Sequence, residues 1–196
     1  MITYSAANLL NEGISTGNSN KVGFKKHFKS IVESFRTTAD LSLVIPKSVY
    51  LRTIQICNYI EEASETKFRI ENFIMLIYLE FINSSITDLD IFSIYKMIDR
   101  PNITDTIRIT NGHDVCECNL KEYSKKEISL TMLKKDVLKG ELLLAEIYEL
   151  YGRVFCLEKV ISTLWVNFIN NYLKGDNKAI IELIKTSLQN CNLGTT

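Results

Sequence analysis

Most of this chain spaces its apolar residues as one face of an α-helix, and that period constrains the fold more than any other feature. Near the N-terminus the spacing of Phe24, Phe28, Ile31, Val32 and Phe35 predicts an amphipathic helix. Glycine and proline, which commonly end helices, number only 8 and 2 among 196 residues. So few breakers favour a helical domain over a sandwich of strands and turns.

The same period predicts further helices along most of the remaining chain. Pro46 suits the first turn of a helix that continues past Ile60. Later segments with a helical pattern are residues 67–83, residues 88–98, the stretch from Met132 to Gly152, the stretch from Leu157 to Gly175, and a last helix after Asp176. We therefore expect about six or seven helices.

One stretch changes from the helical period to alternation. Residues 106–110 and 115–120 alternate between apolar and polar side chains around the turn-forming pair Asn111-Gly112. This pattern predicts a small antiparallel β-hairpin near residues 106–120, with 128–131 as a candidate third strand. Residues 41–45 could form either a short strand or an extended linker. The predicted fold class is mainly α (α+β), a helical bundle with an inserted hairpin.

The length of the chain fits one mainly helical domain over residues 1–196. A hairpin at 101–120 could also join two lobes, residues 1–100 and 121–196. No internal repeat is evident in the sequence, so we do not expect a duplicated architecture.

Charge and cysteine usage restrict the classes of function. The 23 basic and 23 acidic side chains cancel, so no overall field attracts nucleic acid or an acidic membrane. Five cysteines, an odd number, together with a start that lacks a signal peptide, favour a cytoplasmic protein with free thiols. The longest apolar run, residues 73–79, is far shorter than the roughly 20 residues of a membrane span. We expect neither membrane association nor a cofactor.

The apolar faces of residues 132–188 are unusually broad. A peripheral helix gives one stripe to the core, so broad faces indicate either a central position or burial against another subunit. The predicted interface residues are Leu144, Tyr148, Tyr151, Trp165, Phe168 and Tyr172. They predict a protein partner of unknown identity and a homo-oligomer.

A basic helix over residues 21–36 supports an alternative function. Five basic residues and one acid lie in this segment, a footprint typical of binding to a phosphate backbone. The residues that would contact nucleic acid are Lys21, Lys25, Lys26, Lys29 and Arg36.

The stretch RITNGHDVCEC, residues 108–118, gathers the residue types of a chemical site. His113, Cys116 and Cys118 could ligate zinc, since the alternation places both cysteines on one face of a strand. Arg108 and His113 also resemble, in their spacing, the R-x4–6-H motif of HEPN-type ribonucleases. That resemblance implies RNA cleavage by an Arg–His pair across a dimer, but HEPN domains carry the motif on a helix and here it straddles a turn.

None of the common catalytic or nucleotide-binding motifs occurs, and only two histidines are present, so an enzyme is not the expected class. The sequence favours a non-catalytic regulatory or adaptor protein that acts through protein–protein contact, by analogy an accessory factor of a phage or mobile element. The alternatives are a nucleic-acid-binding regulator and a metal-dependent or Arg–His nuclease.

Overall fold

The computed structural model describes residues 2–12, 38–87, 90–99, 106–111, 114–119 and 124–173, and it describes residues 106–119 by backbone pairing alone. In chain order the elements are β1 (Thr38–Pro46), α1 (Lys47–Ser64), α2 (Ile70–Thr87), α3 (Ile91–Asp99), β2 (Thr106–Asn111), β3 (Asp114–Asn119), β4 (Lys125–Leu133), α4 (Lys134–Tyr151) and α5 (Leu157–Leu173). A short helical turn at residues 9–12 precedes them.

The mainly α (α+β) class is confirmed, and so is the hairpin near residues 106–120. Strands β2 and β3 pair antiparallel, and their last pair joins Asn111 to Asp114. Asn111 therefore belongs to β2, whereas the expected Asn111-Gly112 turn would leave it outside the strand. This register sets Ile109 opposite Cys116, whereas the expected one would set Ile109 opposite Asp114.

A second two-stranded sheet pairs β1 with β4, two segments that are distant in the sequence. Residues 128–131 do belong to a strand, but that strand pairs with β1 and not with the hairpin, which corrects the expected third strand. Apolar and polar residues alternate along β1, and this alternation explains the position of the sheet. It buries Leu41, Leu43 and Ile45 of β1 against the helices and leaves the intervening residues exposed.

The order strand, helix, helix occurs twice, which corrects the expectation of no internal repeat. We call β1–α1–α2 the first unit and β4–α4–α5 the second unit. Residue numbers in the second unit exceed those in the first by 87, and every element boundary agrees to within one residue. Both first helices end at a residue in the left-handed region, Glu65 with φ 52° and Gly152 with φ 66°.

Aligned at this offset without gaps, the two units share identical residues along their whole length. The identical pairs are Ser42 and Ser129, Leu43 and Leu130, Lys47 and Lys134, Leu51 and Leu138, Ile60 and Ile147, Glu62 and Glu149, Phe68 and Phe155, Glu71 and Glu158, Ile74 and Ile161, Phe81 and Phe168, Ile82 and Ile169, and Asn83 and Asn170. Many other pairs keep their character, such as Asp40 with Glu127 and Tyr78 with Trp165. We infer that the chain is a tandem duplication.

The two units pack around an approximate two-fold axis. Strands β1 and β4 pair end to end, from Thr38 with Leu133 to Pro46 with Lys125, and the central pair is Ser42 with Ser129. In a two-fold interface each contact recurs with its partners exchanged. This pairing therefore has the form of a homodimer contact made within one chain.

Core contacts between the units follow the same symmetry. The Nε1–H group of Trp165 in the second unit donates to Thr53 Oγ1 in the first, at 2.7 Å. At the equivalent place, the hydroxyl of Tyr78 in the first unit donates to the carbonyl oxygen of Asp136 in the second, at 2.7 Å. Tyr78 also lies directly over Gly140, the residue equivalent to Thr53.

The broad apolar faces of the second unit are covered by the first unit. Leu144 and Trp165 are 1% and 0% exposed and belong to one core cluster with residues of both units. Neither side chain has surface to offer to another molecule, which corrects their assignment to an intermolecular interface. The apolar faces of the second unit are therefore buried against the other half of the same chain.

Candidate functional site

The paired strands β1 and β4 form a ribbon that has one face on the core and one exposed face. We call the exposed face the outer face. Its residues are Thr38, Asp40, Ser42 and Val44 of β1 and Lys125, Glu127, Ser129, Thr131 and Leu133 of β4. Hydroxyl and carboxylate groups dominate this surface, so it presents many hydrogen-bonding groups to solvent.

Two hydrogen bonds between the strands order the outer face. The hydroxyl of Thr131 donates to Asp40 Oδ1 at 2.6 Å. The hydroxyl of Ser42 donates to Glu127 Oε1 at 2.5 Å. Asp40 and Glu127 are equivalent under the two-fold axis, and each already accepts one hydroxyl.

Lysines lie at both ends of the ribbon. At one end Lys125 pairs with Pro46, and Lys47 continues the ladder by donating its backbone N–H to the carbonyl of Ser124 at 3.0 Å. Lys126 is also at this end, where its ammonium lies 5.6 Å from the ring centroid of Tyr50. At the other end, Lys134 and Lys135 follow directly after β4. The ribbon therefore has a polar middle and positively charged ends.

A second exposed feature, which we call the aromatic surface, consists of Phe92 and Tyr95 on α3, Tyr151 at the end of α4, and Phe155. Tyr95 stacks on Tyr151 with centroids 4.3 Å apart, and Phe92 lies 6.2 Å from Tyr151. Phe155 meets Tyr95 edge-on at 6.1 Å. These contacts join α3, which follows the first unit, to the second unit.

Charged groups border the aromatic surface. The ammonium of Lys96 lies 4.2 Å above the ring of Phe92, and Arg153 forms an ion pair with Asp99. Phe92 is still 47% exposed, and the neighbouring Leu150 and Val154 are 57% and 51% exposed. Exposed aromatic rings with an arginine beside them are typical of contacts with other proteins.

The N-terminal segment, residues 2–12, docks on the second unit through a buried carboxylate. Glu141 of α4 is 0% exposed and accepts hydrogen bonds from the Ser5 hydroxyl at 2.5 Å and from the backbone N–H groups of Leu9 and Leu10 at 3.2 and 2.6 Å. An anion is stabilised at a helix start, where backbone N–H groups lack partners within the helix. Glu141 therefore caps the helical turn at residues 9–12.

A second carboxylate holds the same segment. Glu158 Oε1 accepts the backbone N–H of Ala6 at 2.7 Å, while the thiol of Cys156 donates to Oε2 at 2.5 Å. Partial burial and the nearby Glu158 raise the pKa of the Cys156 thiol. Since the thiolate is the reactive form, this environment makes Cys156 a poor nucleophile. Glu158 therefore has a structural role, since it holds the N-terminal segment against the second unit.

Several predicted site residues lie outside the described residues. The basic segment with Lys21, Lys25, Lys26, Lys29 and Arg36 is one such case, and His113 is another. Cys116 and Cys118 lie in β3, where their backbones pair with Ile109 and Ile107. Within the described part of the chain, no group of three metal-ligating side chains occurs. The zinc and Arg–His hypotheses stay predictions.

The remaining predicted interface residues, Tyr148, Tyr151, Phe168 and Tyr172, are half-buried and pack against the core. Phe168 meets Phe73 of the first unit edge-on, with centroids 5.1 Å apart. Tyr151 alone among these four belongs to the aromatic surface defined above.

The sequence reasoning missed the outer face. Its signal was the alternation within residues 38–46 and 125–133, which places polar residues at every second position of both strands.

None of the helices in the described ranges is both long enough and apolar enough to cross a membrane.

No known family model matches this chain, and no curated protein or solved structure matches it either. The case for its function therefore depends on its own geometry.

Proposed function

We propose that the protein binds double-stranded DNA and inserts the outer face of its ribbon into the major groove. The observation that supports this proposal is an exposed two-stranded ribbon, related by a two-fold axis, with a polar middle and lysines at both ends. A nine-residue strand is about 30 Å long at roughly 3.3 Å per residue. The major groove of B-form DNA, about 12 Å wide, admits a two-stranded ribbon.

Charge at the ends of the ribbon fits the phosphate backbones that border the groove. Lys47 and Lys125 lie at one end of the ribbon and Lys134 and Lys135 at the other, and we propose that they meet the phosphates on the two sides of the groove. Contacts of this kind supply most of the affinity of DNA-binding proteins and fix their orientation. The balanced total charge of the chain does not oppose this arrangement, because the relevant field is local.

The two acids of the outer face favour reading of bases over general attraction to the backbone. Asp40 and Glu127 repel phosphates, but a carboxylate accepts a hydrogen bond from the amino group of cytosine in the major groove. Ser129 can donate to or accept from any base, whereas Ser42 and Thr131, whose hydroxyls donate to Glu127 and Asp40, can accept a hydrogen bond from one. The deep and narrow major groove of A-form RNA would exclude the ribbon, so the proposed ligand is duplex DNA.

A charge-reversal experiment tests the proposal. Lys125→Glu with Lys135→Glu removes one cation from each end of the ribbon, and Lys67→Glu with Lys96→Glu makes the same charge change elsewhere. If the two ribbon lysines contact phosphates, their loss weakens binding to a pool of random duplexes. It also reduces the slope of log affinity against log salt by about 1.8, at roughly 0.9 per contact.

Fluorescence anisotropy over a series of salt concentrations measures both effects. The control pair should retain the slope of the wild-type protein. The proposal fails if the wild-type protein binds no duplex at low salt, or if both pairs of substitutions weaken binding equally.

The aromatic surface supports a second candidate function, contact with another copy of the chain. It exposes the apolar side chains of Phe92, Leu150 and Val154, which a second copy would cover across a two-fold axis. Sedimentation at tens of micromolar should then show a dimer that Phe92→Ser abolishes, while Tyr59→Ser, which replaces another half-exposed ring, leaves it intact. A monomer at these concentrations would reject this candidate.

A further inference from the structure

The duplication of the chain is imperfect on the surface that we propose to contact DNA. The two-fold axis passes between Ser42 and Ser129, so residues at equal distances from this pair would meet equivalent base pairs in the two halves of a site. In an ordinary homodimer those residues are identical and the preferred site is a palindrome. Here the equivalent positions are separate residues of one chain, so they can differ.

The central positions retained their symmetry. Ser42 and Ser129 are identical, and Asp40 and Glu127 keep a carboxylate on each half. The next equivalent pair differs, since Val44 in β1 corresponds to Thr131 in β4. Valine offers only methyl groups, whereas threonine offers a methyl group and a hydroxyl.

This one difference changes the hydrogen bonds of the whole face. Thr131 lies directly opposite Asp40 and donates its hydroxyl to that carboxylate at 2.6 Å. Val44 lies directly opposite Glu127 and has no hydroxyl to give, so Glu127 accepts the hydroxyl of Ser42 diagonally, at 2.5 Å. Val44 remains 50% exposed. One half of the outer face therefore presents the apolar side chain of Val44, whereas the other half presents the hydrogen-bonded pair Thr131 and Asp40.

We propose that one copy of the chain binds one DNA site whose two halves differ, being related at the centre and unequal at the base pair that faces Val44 or Thr131. This inference depends on the proposed function. The chemistry of Val44 fits the 5-methyl group of thymine, the apolar group that the major groove presents. The opposite half should prefer thymine less strongly, because at Thr131 a hydroxyl bonded to Asp40 replaces one of the two methyl groups of valine.

Selection from a library of duplexes with a random core tests the inference on the full chain. The wild-type protein should select a sequence with an approximate two-fold centre and unequal halves, bound one chain to one duplex by native mass spectrometry. Val44→Thr removes the difference between Val44 and Thr131, so the base pairs that face these two positions should become more alike in the selected sequence. Its preference for thymine at the affected position should fall by about three- to five-fold, as expected when a hydroxyl replaces one methyl group of an apolar contact.

Thr131→Val is the matched variant, because it removes the same difference in the opposite sense. It should strengthen the thymine preference in the second half and leave the first half unchanged. Thermal unfolding of both variants checks that the ribbon remains folded.

The outcomes separate this inference from the proposed function. Absence of duplex binding by the wild-type protein rejects both. Binding to a strict palindrome, binding of two chains per site, or binding without any selected sequence retains DNA binding but rejects the inference. Unchanged selection by both variants also rejects it, since Val44 and Thr131 would then not read the groove.

Discussion

Tyr78 and Trp165 occupy equivalent positions in the two units, and each reaches across to the other unit with its one polar group. Trp165 meets a threonine hydroxyl, but Tyr78 is longer along its ring axis and meets a glycine position. A Cβ atom at Gly140 would lie 2.4 Å from the Tyr78 hydroxyl oxygen and 2.7 Å from Leu157 Cδ1. The absence of a side chain at residue 140 is therefore what lets the tyrosine fit.

Gly140→Ala should lower the free energy of unfolding, although alanine favours a helix over glycine by about 1 kcal/mol. The added methyl group overpacks the core, which costs roughly 1–3 kcal/mol. Tyr78→Phe removes the oxygen that meets this methyl and leaves only the contact with Leu157, so Gly140→Ala should be less harmful in that background. Urea unfolding of the four proteins gives the coupling between the two sites. Equal effects of Gly140→Ala in both backgrounds would contradict this account.

At the scale of single elements, local chemistry predicted most boundaries in the described chain. Gly152 ends α4 in the left-handed conformation, as its place after the apolar stripe indicated. Pro46 differs slightly, because it ends β1 and precedes the first turn of α1 instead of lying within it. Alternation marked residues 41–45 and 128–131 as candidate strands, but it carries no information about which strands pair.

Pairing and docking were beyond sequence reasoning because they depend on residues far apart in the chain. Ser5 begins a local hydrogen-bonded turn by accepting the N–H groups of Ala7 and Asn8, which a sequence could suggest. Its connection to Glu141, 136 residues later, could not be seen. A buried glutamate looks the same as a solvated one when only its helix is considered, and only the fold shows that it caps another segment.

For the whole molecule, the apolar pattern of the sequence shows that a surface must be covered but does not show what covers it. Broad apolar faces on the second unit do need a partner to cover them. The first unit covers them, because the duplicated halves associate within the chain as two subunits would. The repeat escaped notice because its identical residues are scattered and its two copies are separated by α3 and the hairpin. The outer face was missed for a related reason, since it exists only when β1 and β4 come together.

If the units associate as two subunits would, the backbone between them should not be needed to hold them together. A protease site inserted between Asn119 and Ser124, after the hairpin and before β4, would separate the units on cleavage. The two fragments should still elute together on size exclusion under native conditions, because they share one core and the ribbon. They should separate only in denaturant.

Cleavage also turns an intramolecular association into a bimolecular one, so the melting temperature of the nicked protein should fall on dilution. The uncut insertion protein serves as the control, and its melting temperature should not depend on concentration. Fragments that part without denaturant would show that the covalent connection, and not the shared core, holds the two units together.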